Sequence, residues 1–240
     1  MKLPAIFLFG AGLLLATARC GHAEIVDLAL VLAIDASGSV DSREYQVQRD
    51  GIAAAFEGPA IAAAVTGGIH HAIDVLVLEW SDPDRQAVTV NWTRITGGSS
   101  AQAFADKVRS TRRSSAGVTA IGNGLAAAGA ALKRLPDQAS RRVIDVSGDG
   151  MANAGIPPAQ VRDALVADGV TINGLVMLNE EPWVGGYYDA NVVGGPGAFL
   201  LQVDDYRSFA GAIQQKLVSE IVAIPPPPAF SLSMRGSSVR

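Results

Sequence analysis

Residues Leu28 to Ile34 are seven consecutive apolar positions, and Asp35-Ala36-Ser37-Gly38-Ser39 follows them directly. An uninterrupted run of this length, free of charge, reads as a strand buried on both faces, and such strands belong to parallel sheets covered by helices on either side. The carboxylate at its end marks where the chain leaves the core. In open α/β sheets, ligands bind at these carboxyl ends. One turn of chain here offers a carboxylate and two hydroxyl oxygens, an all-oxygen set of the kind that hard cations such as Mg²⁺ take. The same residues would equally serve as a Ser/Gly turn that caps the next helix.

The rest of the chain repeats the alternation. A Ser-capped helix is expected from about Arg43 to Phe56 or Glu57, and a short Pro59-initiated helix reaches Val65. Strands follow at Ile73 to Trp80, Arg141 to Val146, Val170 to Leu178 and Phe199 to Val203. Gln86 to Trp92 alternates polar with apolar residues, which suits a solvated edge strand antiparallel to its neighbour. Helices are expected from Ser99 or Ser100 to Arg109, over Ile121 to Leu135, from Pro157-Pro158 to Ala167, and from an Asp204 or Asp205 cap to Val222. Glu180 to Pro196, rich in Gly, Tyr and Trp, reads as a long loop. Strands alternating with helices give an α/β fold: a doubly wound, mostly parallel sheet with one antiparallel edge strand and helices on both faces, Rossmann-like.

The first 23 residues read differently. Met1-Lys2 precedes an apolar stretch from Ala5 to Ala16, which is too short to cross a bilayer and fits a signal-peptide core. Gly21-His22-Ala23 is a small-residue cleavage pattern, so residues 1–23 are expected to be a signal peptide cut after Ala23. The domain then covers 24–224, and 225–240, opened by Pro225 to Pro228, is expected to be a disordered tail. Cleavage would remove two of the 19 basic residues, none of the 23 acidic ones and the sole cysteine, leaving a net charge of −6. A mature chain without cysteine has neither disulfides nor thiol chemistry. Export without cysteines suggests a bacterial periplasmic or secreted protein, and the acidic balance argues against nucleic acid as partner.

Three loops carry oxygen donors: Asp35, Ser37 and Ser39 after the first strand, Thr119 just ahead of a helix, and Asp149 after the strand that ends near Val146. With a 3-2-1-4-5-6 strand order the first and fourth strands flank the topological switch point, and Asp35 and Asp149 face each other across it. Asp35-x-Ser37-x-Ser39, the Thr119 of Gly117-Val118-Thr119-Ala120-Ile121-Gly122, and Asp149-Gly150 resemble the metal-ion-dependent adhesion site of von Willebrand factor type A domains, closest to secreted bacterial members of unknown function. The resemblance implies Mg²⁺ (or Mn²⁺) held largely by Ser37, Ser39 and Thr119, with Asp35 and Asp149 acting directly or through waters. It further implies a protein partner that presents an Asp or Glu carboxylate to the ion. Neutral hydroxyl ligands agree with this, because they leave the cation's charge available to an incoming anion. Ser147-Gly148 departs from the family pattern, as does Asp145, which stands inside a strand where an apolar residue is usual. Asp145 is expected to be hydrogen-bonded to a neighbouring loop, or else to tune the metal site from behind. Asn153 reads as a local turn cap.

The functional expectation is therefore an exported, divalent-metal-dependent protein-binding module, not an enzyme. The alternative is a metal-assisted hydrolase using the same oxygen cluster. Such an enzyme would want a base beside the ion, and His70 and His71 are placed at the wrong end of a strand. Trp183, Tyr187 and Tyr188 either pack over the sheet edge or form a recognition loop.

Overall fold

The computed structural model describes residues 24–178 and 181–223; the expected signal segment, the expected tail and Glu180 lie outside the described residues. In chain order the elements are β1 (Ile25–Val26), β2 (Leu28–Asp35), α1 (Ser42–Glu57), α2 (Pro59–Thr66), β3 (Ile73–Trp80), β4 (Gln86–Ile95), α3 (Gly98–Ser110), α4 (Ile121–Leu132), β5 (Gln138–Ala139), β6 (Arg142–Gly148), α5 (Pro158–Ala167), β7 (Thr171–Met177), α6 (Val184–Asn191), β8 (Leu200–Val203) and α7 (Phe209–Val222). A single 3-10 turn, Tyr206–Ser208, leads into α7.

Six strands form one sheet in the order β4-β3-β2-β6-β7-β8, and β1 pairs separately with β5. Every neighbour in the large sheet is parallel except β3 with β4. This is the 3-2-1-4-5-6 arrangement, so β2 and β6 do flank the switch point. Ile34 stands opposite Ser147 across that pair, which puts the loops after both strands side by side.

Strand alternation divides the core into two layers. Leu28, Leu30, Leu32 and Ile34 of β2 face α1, α2, α3 and α7, where Phe56, Phe104 and Phe209 fill the volume. Ala29, Val31 and Ala33 face α4, α5 and α6. The smaller residues on this second face let the Ala-rich α4 come close. An added Cβ at Gly124 would lie 2.7 Å from the Trp80 ring, and one at Gly122 would run into the Ile156 carbonyl. The Gly122-Asn123-Gly124 stretch thus serves helix packing. Each fully buried Leu, Ile or Phe contributes about 1.5–3 kcal/mol.

Several boundaries differ from the sequence reading. Asp41, not a serine, caps α1: its carboxylate accepts from the backbone N–H groups of Arg43 and Glu44, while Glu44 accepts from the Asp41 N–H at 2.8 Å. This reciprocal box satisfies donors that a lone serine would leave open. β4 runs three residues beyond Trp92, to Ile95. The expected loop from 180 to 196 contains α6, whose Tyr188 is fully buried while Trp183 ahead of it is 61% exposed. Its glycines masked a helix that tertiary burial of Val184 and Tyr188 stabilises. Among the described residues no helix is long and apolar enough to cross a membrane.

Candidate metal centre

The five residues expected to form the site come from the loops after β2 and β6 and the loop ahead of α4, and the structure brings these loops together. Ser39 Oγ donates to Asp149 Oδ1 at 2.7 Å, and the Ser37 and Ser39 hydroxyls lie 3.1 Å apart. The Gly38 N–H donates to the Gly117 carbonyl at 2.7 Å, which clips the Thr119 loop over the first loop. Asp35, Ser37, Thr119 and Asp149 are all buried. His70 and His71 are exposed at the opposite end of the sheet, in the turn before β3.

Arg113, Gln48 and Glu79, which the sequence did not single out, hold this arrangement together with Ser147 and Asn153. Arg113 Nη2 donates to the carbonyls of Ala36 and Ser37, at 3.0 and 2.6 Å. Gln48 of α1 donates to the Asp35 carbonyl and accepts from Ser147 Oγ at 3.0 Å, so Ser147 supports the first loop from behind. Asn153 is not a local turn cap. Its side chain accepts from the Thr119 N–H at 2.9 Å, and its own N–H donates back to the Thr119 carbonyl. Glu79 accepts from the Ser114 N–H, tying the same loop to β3. Each of these contacts joins segments far apart in the chain, and no local spacing announces them.

Asp145 is bonded neither to a loop nor to the site. It meets Lys216 of α7 at 2.6 Å, midway along β6, and Lys216 also meets Glu220 at 2.5 Å. All three side chains are buried. The strand position that looked anomalous is thus the anchor for the last helix.

The electrostatics of the loop cluster favour a cation. Burial first, and the neighbouring Asp149 second, push the Asp35 carboxyl up to about 7, against the hydrogen bonds from Ser37 and the charge of Arg113. Asp35 Oδ1 accepts from the Ser37 N–H at 2.7 Å, whereas Oδ2 is buried without a hydrogen-bond partner. Two carboxylates and the Ser37 and Ser39 hydroxyls gathered at the ends of β2 and β6 fit a small hard cation, because its charge offsets the repulsion and its ligands are oxygen. Among the described residues no group of three His, Cys, Asp or Glu side chains forms a metal cage. The donor set here is mainly hydroxyl.

The sheet order and the helices on both faces give the von Willebrand factor A-like class of fold. Within that class, the chain belongs to the family described as protein of unknown function (DUF1194), which matches residues 25–225. Similar solved structures include proximal thread matrix protein 1 from the mussel byssus, at 16% identity and a TM-score of 0.57 over 83% of this chain and 49% of that one. A second structure of the mussel protein, with a zinc-occupied MIDAS motif, matches at 15% identity and a TM-score of 0.58, covering 83% and 49%. The pilus adhesin SpaC from Lactobacillus rhamnosus GG matches at 15% identity and a TM-score of 0.61, over 84% of this chain and 32% of the adhesin. The chain therefore spans about half the mussel protein and about a third of the adhesin. No curated protein sequence matches.

Proposed function

We propose that this chain is an exported protein-binding module that captures a partner's Asp or Glu carboxylate on a divalent cation, Mg²⁺ or Mn²⁺, held by Asp35, Ser37, Ser39, Thr119 and Asp149. The observation that carries the reading is the meeting of three loops at the carboxyl end of the sheet, with Ser39 bonded to Asp149 and Gly38 to Gly117. The ion would supply a positive centre whose hydroxyl ligands do not neutralise it. The chain's own residues orient those hydroxyls, and the exposed Ser39 leaves the site open to a partner. Val118, Met151, Ile156 and Trp183, four of the eight exposed large hydrophobics among the described residues, sit on the loops around this cluster. They suit a protein surface as partner. An adhesin and a matrix protein built on the same fold accord with a binding role.

The domain is taken as 24–224, exported by the segment 1–23 and followed by the tail 225–240. Mass spectrometry of the secreted chain is expected to start at Glu24; a chain still carrying Met1 would overturn this part. Thermal melts test the metal. At about ten times its Kd, a cation that binds only the native state adds roughly 1.4 kcal/mol. Wild type should melt higher with Mg²⁺ or Mn²⁺ than with chelator, and Asp35→Ala should lose that response while remaining folded. Melts indifferent to all three additions reject the site. A pull-down of exported proteins with and without chelator then tests the partner, whose capture should depend on the cation and on its acidic residues.

A further inference from the structure

The first and fourth strands are not the only contributors to the oxygen cluster. Two phenols reach it from the far half of the sheet. Tyr188, in α6 after β7, is fully buried, and its hydroxyl has no hydrogen-bond partner. Tyr206, in the turn after β8, donates from its hydroxyl to Asp149 Oδ2 at 3.2 Å. The orphaned Tyr188 oxygen and the orphaned Asp35 Oδ2 converge on one small space above Gly148. A Cβ placed there would lie 3.0 Å from Asp35 Oδ2 and would overlap the Tyr188 hydroxyl. Gly148 is one of the three residues that depart from the family pattern, and this packing explains it: any side chain would separate phenol from carboxylate.

We infer that Tyr188 and Tyr206 are positioning residues of the metal site, with Tyr188 supplying the donor for Asp35 Oδ2 and Tyr206 the donor for Asp149 Oδ2. The inference rests on the reading of the loop cluster as a cation site. Each aspartate is then held at both oxygens. Asp149 is held by the Ser39 hydroxyl and the Tyr206 phenol; Asp35 Oδ1 is held by the Ser37 N–H, and the Tyr188 phenol takes Oδ2 once the ion keeps Asp35 ionised. A carboxylate held at both ends cannot rotate away from the hydroxyl ligands, and groups that orient ligands in this way typically govern metal affinity by 10- to 100-fold. The pairing also explains why a buried phenol is left without any other partner, since buried polar groups are ordinarily satisfied.

The test uses the mature chain with Mn²⁺ alone as probe, its binding followed by electron paramagnetic resonance and by calorimetry. Tyr188→Phe and Tyr206→Phe should each weaken Mn²⁺ binding by about tenfold or more. Tyr187→Phe, which alters the adjacent phenol in α6, should leave it unchanged. Thermal melts separate positioning from plain packing. In chelator, Tyr188→Phe should melt at or above the wild-type temperature, because it removes an unpartnered buried hydroxyl; with Mn²⁺ it should gain less than wild type. Gly148→Ala should weaken Mn²⁺ binding in wild type and cost less in a Tyr188→Phe background. If wild type binds no Mn²⁺, the metal-site reading itself fails. If wild type binds and both tyrosine variants bind equally well, or if their melts fall equally with and without the ion, the positioning role is overturned.

Discussion

Replacing Lys216 by Met isolates what the buried charge cluster contributes. In the native chain one ammonium lies 2.6 Å from Asp145 and 2.5 Å from Glu220, with Asn173 donating to Glu220 at 2.7 Å and the Phe199 ring 5.1 Å away. Burial, and then the charge of Glu220, push the Asp145 carboxyl up to about 7, even though Lys216 pulls it down. Below about pH 7, one ammonium and one proton together balance two carboxyls. Lys216→Met leaves the volume nearly unchanged, so the cost is electrostatic, and the cluster can become neutral only by taking up a second proton. Holding a carboxyl protonated when its ordinary value is about 4.3 costs about 4 kcal/mol at pH 7.5 and about 1 kcal/mol at pH 5. The first figure agrees with the roughly 3–5 kcal/mol that follows removal of one partner from a buried pair. Relief from burying the ammonium works the other way and is the same at both pH values. The difference of about 3 kcal/mol between them is therefore the sharper quantity. Urea unfolding in chelator at pH 5, 6 and 7.5, comparing wild type with Lys216→Met, measures it. A variant equally destabilised at all three pH values, or within about 1 kcal/mol of wild type at pH 7.5, would refute the charge-balance reasoning.

The metal-free chain should lose stability as pH rises from 5 to 8. The native state holds Asp35 and Asp145 protons, with both carboxyls pushed up to about 7, that the unfolded chain releases near pH 4, so it binds more protons throughout that window. The urea midpoint in chelator is expected to fall over this range, and saturating Mg²⁺ should flatten the fall by holding Asp35 ionised; a midpoint that rises with pH in chelator would contradict both carboxyl environments. Gly124→Ala should destabilise by about 1–3 kcal/mol, because its Cβ would lie 2.7 Å from the Trp80 ring in a close-packed layer. Denaturant unfolding checks this, and a Gly→Ala change here that stabilises would show that α4 can move away from the sheet.

What the sequence by itself determined is periodic or adjacent along the chain. β2 and β3 were legible because eight consecutive residues of each are buried, which leaves short, mostly apolar runs rich in Val, Leu and Ile. The edge strand β4 was legible from its alternation, and the sheet order followed from strand–helix alternation with one hairpin. Asp35, Ser37 and Ser39 stood out because three donors share one turn of chain. Tertiary structure alone decided what surrounds them. Tyr188 and Gly148 are 40 positions apart, Asn153 and Thr119 are 34, and Gln48 and Ser147 are 99. Contacts of that span leave no spacing to read, since any helix offers some Tyr or Gln on its buried face. Asp145 shows the same limit from the other side. A carboxylate inside a buried strand signals that a counter-charge must exist, but only the packing of α7 across β6 shows that Lys216 supplies it.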